Sequence, residues 1–242
     1  MNKKTVLITG ASRGIGKQTA LLFSREQYHV FLNCSSSRQS LEEVGEEIAR
    51  YGGSSSLYIG DVGCPDFVRE MFSRIYDETS ALDVLVNNAG ISHVGLLSDM
   101  SDAEWDRVIR TNLSSVFYCC RSAIPNMVSR KKGKIINISS IWGVSGASCE
   151  AAYSASKAGV NGLTQALARE LAPSNIQVNA LAFGVIDTEM NARLSPEEHE
   201  ELRNSIPTGR YGTPAEAAEM ILDIMKAPSY LTGQIINFDG GL

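Results

Sequence analysis

The stretch T-V-L-I-T-G-A-S-R-G-I-G, residues 5 to 16, decides how this chain folds. An apolar, β-branched run over 5–9 ends in glycines at 10, 14 and 16, and a helical pattern over 14–26 follows at once. Strand, glycine turn and helix in that order open a nucleotide-binding βαβ unit. The spacing is G-x-x-x-G-x-G rather than G-x-G-x-x-G, but the physical task is the same. Glycines let the backbone turn sharply and approach a pyrophosphate, which then sits at a helix N-terminus. Gly10, Ser12, Arg13, Gly14, Ile15 and Gly16 are the candidate contacts.

Outward from this turn, apolar runs and helical patterns alternate to the end of the chain. Candidate strands cover 5–9, 29–33, 56–60, 84–87, 134–138, 176–181 and 234–238; candidate helices cover 14–26, 40–51, 65–79, 102–130, 153–171 and 214–226. Several strands are apolar throughout, as expected when both faces are covered. The alternation predicts an α/β, Rossmann-type, doubly wound parallel sheet of about seven strands with helices on both faces. The 242 residues contain no Pro/Gly/Ser-rich linker, charge block or repeat, so a single domain over 1–242 is expected. Ser101 with Glu104 reads as a capping box. Residues 187–213 interrupt the alternation with a Glu-rich piece and then Pro207 and Gly209, and they read as a substrate lid with a short helix.

The net charge of −5 argues against nucleic-acid or anionic-membrane surfaces. No run approaches the ~20 apolar residues of a membrane span, and the first ten residues lack signal-peptide anatomy. Five cysteines (34, 64, 119, 120 and 149) without C-x-x-C spacing fit reduced cytoplasmic thiols, with Cys119 and Cys120 packed in a helix. His29, His93 and His199 have no metal-ligand spacing, so no metal is expected.

An acid about 20 residues beyond the glycine turn would grip the ribose 2′-hydroxyl of NAD. This chain has N-C-S-S-S-R at 33–38 instead. Asn33, Ser35, Ser36 and Ser37, with Arg13 and Arg38, suit a 2′-phosphate, so NADPH/NADP+ is the expected cofactor. Asp61 and Val62 end the third strand, where a carboxylate can take an adenine amino group. Asn88, Ala89 and Gly90 end the fourth, where backbone passes close to ribose.

The chemistry is concentrated in S-S-I-W-G-V-S-G-A-S-C-E-A-A-Y-S-A-S-K, residues 139 to 157. Tyr153 and Lys157, at i and i+4, share a helical face. A neighbouring cation lowers a phenol's pKa, which suits it to act as a general acid near neutrality. Ser140 closes a strand and faces the same crevice. Alone, Y-x-x-x-K is common in solvated helices. Trp142 reads equally as a substrate wall or a core aromatic, and His93 as a rim contact or a solvated loop residue. Glu150 reads as a contact to a cationic substrate or as a charge placed for the helix dipole.

Taken together, T-G-A-S-R-G-I-G, D-V, N-N-A-G, Asn112, Ser140, Y-S-A-S-K and T-G-Q-I-I-N-F-D-G-G resemble the short-chain dehydrogenase/reductase family over essentially the whole chain. The resemblance implies a catalytic tetrad. Ser140 would hold the substrate carbonyl and Tyr153 would donate the proton. Lys157 would bind ribose and lower the Tyr153 pKa, and Asn112 would support a proton-relaying water. It also places Gly184, Ile186 and Thr188 at the nicotinamide, with Phe183 where the family usually has Pro. Length and lid resemble the bacterial 3-oxoacyl-[acyl-carrier-protein] reductases of fatty acid biosynthesis, which implies acyl carrier protein as a partner and a homotetramer or homodimer. Those reductases often carry a basic residue near Ser174 for docking the carrier, and here only 130–132 (Arg-Lys-Lys) offers positive charge nearby. The run 139–150, Ser92-His93 and Glu150 in place of the usual Gln more closely resemble elongation factor P 5-aminopentanone reductases, which act on an amine-bearing ketone. The activity expected is NADPH-dependent reduction of a 3-oxoacyl thioester. The alternatives are the factor P ketone, another small ketone, a steroid or a sugar alcohol.

Overall fold

The computed structural model describes residues 3–192 and 194–242. Its strands are β1 (Thr5–Ile8), β2 (His29–Cys34), β3 (Ser54–Ile59), β4 (Val84–Asn87), β5 (Gly133–Ser140), β6 (Ile176–Phe183) and β7 (Ile235–Phe238). They form one parallel sheet in the order β3-β2-β1-β4-β5-β6-β7. The chain winds outward from β1 to β3, returns to β4 beside β1, and then winds the other way. The crevice for a ligand in such a sheet lies past the carboxyl ends of the strands, where the winding reverses. Here that point lies between β1 and β4.

Side chains alternate across a strand, so each strand feeds both faces. Val6 and Ile8 of β1 join Val30, Leu32, Ala20, Phe23 and Ile221 in one core layer. Leu7 between them joins Phe31, Leu85, Val116, Val160 and Val178 in the other. Helices α1 (Gly14–Arg25), α2 (Arg38–Arg50) and α9 (Pro214–Lys226) cover the first layer. Helices α3 (Pro65–Glu78), α5 (Ser115–Arg130) and α7 (Ala151–Leu171) cover the second. The fold class read from the strand–helix alternation is the one observed.

The long helix expected over 102–130 is not uniform. It runs as α4 (Asp102–Ile109), a π-helical turn (Arg110–Ser114) and α5. Such a turn holds an extra residue and often sits at a functional site. Apolar periodicity over so short a stretch does not report it. The strand expected over 56–60 starts earlier, at Ser54, because β3 pairs with the whole of β2 from His29 onward. Within 187–213, one turn of 3₁₀ helix (Glu189–Asn191) precedes α8 (Pro196–Ser205). The Ser101–Glu104 capping box is present, and equivalent boxes open α8 at Ser195–Glu198 and α9 at Thr213–Glu216. Cys119 and Cys120 are buried, and burial raises both thiol pKa values, so they serve packing. Among the described residues, no helix is long and apolar enough to cross a membrane.

The α9 box also receives Arg210, whose guanidinium is bidentate to Glu216 at 2.9 and 2.7 Å. Losing an N-cap hydroxyl costs about 1 kcal/mol. Thr213→Ala is therefore expected to lower the melting temperature by about 2–4 °C. An unchanged melting curve would mean that Arg210 and Glu216 hold the helix start without the hydroxyl.

Candidate active site

The glycine turn is held from the neighbouring strand. Asn88 Nδ2 donates to Thr9 O at 2.9 Å and Gly10 O at 3.0 Å, while Thr9 Oγ1 accepts the Asn88 and Ala89 N–H groups, both at 3.0 Å. Gly10 has φ +66, and a Cβ on Gly16 would stand 2.2 Å from Gly10 O. The turn therefore closes on itself and admits no side chain there. A Cβ on Gly14, which has φ +53, would stand 3.3 Å from Thr188 Cγ2, so the start of the 187–213 segment lies against the turn. Ser12 and Ile15 are half-buried beside it.

Of the residues read for the 2′-phosphate, Ser35 and Ser36 are exposed and Ser37 is half-exposed. Arg13 pairs with Glu189 at 3.0 Å and Arg38 with Glu42 at 3.5 Å. Both pairs are exposed, and exposed pairs are worth roughly 0–1 kcal/mol, so a phosphate could take either cation over. Asn33 has a different task. It is buried, and its Nδ2 donates to Tyr58 O and Gly60 O, both at 3.1 Å, tying the ends of β2 and β3 together. It supports the crevice wall from behind. At the end of β3, Asp61 Oδ1 accepts the Gly63 N–H at 2.7 Å and Val62 is buried.

The tetrad residues converge past the end of β5. Ser140 ends that strand, and its Oγ accepts the Trp142 N–H at 3.2 Å. Lys157 is 4% exposed, donates from Nζ to Ile138 O at 2.8 Å, and stands 5.6 Å from the Tyr153 ring centroid. A Cβ on Gly90 would come within 3.5 Å of that ammonium and 3.4 Å of Asn112 Oδ1, so the glycine leaves the ammonium reachable from the crevice. Asn112 is carried on the π turn and is wholly buried. Its Nδ2 donates to Ile91 O (2.8 Å) and Ser156 Oγ (3.0 Å), and its Oδ1 accepts the Ile91 N–H at 2.8 Å. The side chain thus clamps the chain beyond N-N-A-G. Both amide hydrogens are engaged in this clamp, while Oδ1 keeps one lone pair beyond the Ile91 bond, the acceptor through which it would support a water.

The electrostatics also depart from expectation. Burial pushes the Tyr153 phenol up to about 12, the Glu150 charge adds to the rise, and a hydrogen bond with Ser140 opposes it. Burial pushes Lys157 down to about 8. The ammonium sits beside the tyrosine ring and is itself desolvated, so it does not hold the phenol below its ordinary value. The hydroxyl of Ser140 is the group that works in that direction.

Several rim residues also find their places. His93 Nδ1 lies 4.0 Å from Glu104 Oε1. Trp142 opens the short helix α6 (Trp142–Ser145) and is half-buried. Glu150 stands at the N-cap of α7, yet its carboxylate does not cap that helix by hydrogen bond. Gly184, beyond β6, would meet Asp239 Cα at 2.7 Å if it carried a Cβ, and Ile186 is buried. Phe183, in the position usual for Pro, is buried edge-to-face on Phe238 at 5.8 Å, and its carbonyl accepts the Ile141 N–H at 3.0 Å. The strand therefore stays regular up to the loop. Sequence reading missed Gly143, whose Cβ would meet the Lys157 backbone at 2.7 Å, and Ser156, the second partner of Asn112. Neither lies in a spacing that marks it.

The basic run 130–132 lies near Ser174, as expected: Asn175 Nδ2 donates to Lys131 O at 3.2 Å, and Gly133 pairs with Ile176. Arg130 ends α5 and the run leads into Gly133, at the opposite end of β5 from Ser140. Arg130 is engaged there with Asp83 at 3.1 Å, Leu82 O and Asn126. Within one subunit these cations do not border the crevice.

A sequence profile described as short chain dehydrogenase matches residues 4–199. The chain belongs to the short-chain dehydrogenase family. It is 42% identical over 240 residues to a 3-oxoacyl-[acyl-carrier-protein] reductase of Staphylococcus aureus (strain N315), covering 99% of this chain and 98% of that protein. The corresponding reductase of Thermotoga maritima is 41% identical over 99% of this chain and 97% of its own length. A variant of actinorhodin polyketide ketoreductase, crystallised with NADPH, superposes with a TM-score of 0.94 at 33% identity, covering 99% and 97% of the two chains. A short-chain type dehydrogenase/reductase from Mycobacterium marinum gives 0.93 at 38% identity, covering 98% and 94%. The dehydrogenase is accordingly an oxidoreductase acting on alcohol and carbonyl groups. Among its described residues, no three His, Cys, Asp or Glu side chains come together to hold a metal.

The buried Lys157 makes a testable contribution to stability. Its folded pKa of about 8 lies below the ordinary 10.5, so between those values the unfolded chain binds the extra proton. Stability then rises with pH across that window, by about 3 kcal/mol for this group. Tyr153, raised from 10.0 to about 12, acts in the opposite sense above pH 10. Urea unfolding of the cofactor-free dehydrogenase at pH 7 and 9.5 should show the gain, and Lys157→Met should abolish most of it. An equal pH slope in the variant would mean that the ammonium is hydrated.

Proposed function

We propose that this dehydrogenase is an NADPH-dependent ketone reductase whose substrate is a 3-oxoacyl thioester on acyl carrier protein. The observation that carries this reading is the near-full-length identity to 3-oxoacyl reductases of two organisms, in a chain whose tetrad converges on one crevice. The cofactor site fits. The Gly10–Gly16 turn offers bare backbone beside a helix start, Gly90 leaves Lys157 reachable, and no acid follows β2 to repel a 2′-phosphate. Arg13, Arg38 and Ser35 to Ser37 would hold that phosphate, Asp61 and Val62 the adenine, and Thr188, Ile186 and Gly184 the nicotinamide end.

Bound NADPH supplies the hydride. Ser140 Oγ orients the ketone oxygen, and Tyr153 delivers the proton that turns the developing alkoxide into a hydroxyl. A phenol with a pKa near 12 is a poor acid toward water but a competent one toward an alkoxide, which is far more basic. Lys157, easily deprotonated for a lysine, can then return a proton to the phenolate. Asn112 keeps Ile91 and the π turn in register around that ammonium.

The same reading makes the enzyme cytoplasmic and a homotetramer or homodimer. Exposed Phe117 and Val128 on α5 support an apolar face between copies. Reduction of acetoacetyl carrier protein tests the whole proposal. Activity should be at least tenfold better in kcat/KM with NADPH than with NADH, and Tyr153→Phe should remove nearly all of it while NADPH still binds. Wild-type turnover in Tyr153→Phe would refute the mechanism.

A second reading, an amine-bearing ketone such as that on elongation factor P, is favoured by Glu150 alone. Its charge reaches the Tyr153 phenol. A charge-assisted contact is worth roughly 1.5–3 kcal/mol, or about ten- to a hundredfold in kcat/KM. Under the thioester reading, Glu150→Gln should leave reduction of acetoacetyl carrier protein unchanged or improved. A tenfold loss confined to cationic ketones would transfer the assignment to the second reading.

A further inference from the structure

We infer that Arg110 is a further cofactor-binding residue, one whose guanidinium covers the adenine end of NADPH; the inference rests on the cofactor reading above. Arg110 is the first residue of the π turn Arg110–Ser114. Its backbone and stem lie on the corner where β3 ends. A Cβ added to Gly63 would stand 3.1 Å from Arg110 Cγ and 3.4 Å from Arg110 O. This corner is the one that carries Asp61 and Val62, with the Asp61 carboxylate folded onto the Gly63 N–H at 2.7 Å. The residue is therefore anchored beside the adenine position through its stem, while its head is exposed.

The head group is also available. Among the described residues, Arg13 pairs with Glu189, Arg38 with Glu42 and Arg130 with Asp83, whereas Arg110 forms no ion pair or side-chain hydrogen bond. A guanidinium is planar and weakly hydrated, and it stacks well on an aromatic face. The π turn explains how one helix serves both ends of the crevice. Ser115 N–H reaches back to Arg110 O, five residues away, which widens the turn. Arg110 is held at the Gly63 corner while Asn112, two residues on, clamps Ile91 near Lys157.

Three probes separate the ends of the cofactor: NADPH, adenosine 2′,5′-bisphosphate and reduced nicotinamide mononucleotide, each titrated against cofactor-free protein by fluorescence or calorimetry. Arg110→Met keeps the stem and removes the guanidinium. Its Kd for NADPH and for the bisphosphate should rise about five- to thirtyfold, as expected for one cation–aromatic contact, while the mononucleotide binds as it does to wild type. Arg110→Lys should recover only part of the loss. Unchanged NADPH and bisphosphate binding in Arg110→Met overturns the inference, as does an equal weakening of the mononucleotide, which would place the effect in the fold. Full recovery by Lys would assign the residue to a phosphate and overturn the adenine role. Failure of wild-type protein to bind NADPH or the bisphosphate would instead bring down the cofactor reading, and this inference with it.

Discussion

Lys157 holds an ammonium almost out of water, with the Ile138 carbonyl as its hydrogen-bond acceptor at 2.8 Å. Charges are rarely buried on such terms, because the cost of desolvation is several kcal/mol and one dipole does not offset it. Much of the surrounding architecture makes the position tenable. Gly143 lets α6 lie directly on the Lys157 backbone, and Gly90 keeps the space in front of the ammonium clear. Asn112 and Ser156 fix the chain on the far side through Ile91. A group kept at this cost has a pKa near 8, close to neutral pH, where it can both hold and pass a proton.

The same economy appears at the point where the sheet reverses its winding. The crevice there exists because β1 and β4 diverge to opposite connections, and the divergence exposes strand-end backbone groups that must be satisfied. Asn88 and Thr9 satisfy them across the gap with four hydrogen bonds. The glycine turn is thus fixed before any nucleotide arrives. A site prepared in this way loses little freedom on binding, which favours affinity.

What could be read in the sequence follows from which interactions are local. Parallel strands are covered on both faces, so their apolar runs stand out, and the glycine turn, Ser140, Tyr153 and Lys157 are fixed by spacing within one strand or one helix. The capping box at Ser101 was legible for the same reason. The π turn was not, because its cause is tertiary: Asn112 reaches 21 residues back to Ile91. Asn33 reads as a ligand contact because it stands at the end of β2, but its Nδ2 partners lie at the end of β3 and just beyond it, 25 and 27 residues away. The sign of the Tyr153 shift was misjudged because i,i+4 spacing reports proximity and says nothing of burial. The charge at 130–132 is brought beside Ser174 by strand pairing, because Gly133 on β5 lies opposite Ile176 on β6. In the sheet, the length of β5 separates it from Ser140.

The segment 187–213 follows the opposite rule from the rest of the molecule. Helix α8 contains no buried residue, so its helicity comes from local signals: the Ser195–Glu198 box and Pro at the first turn. Its attachment is made at its C-terminal end, where Ile206 is buried and Thr208 N–H donates to Gly240 O at 3.1 Å. His199 meets the Tyr211 hydroxyl at 3.0 Å and adds one tether along its length. A segment with a locally encoded helix and so little buried apolar surface belongs to the low-stability end of the structure, where opening costs least. The supports of Asn112 and Lys157 come instead from Ile91, Ser156 and Ile138, far apart in sequence, and α8 contributes none of them.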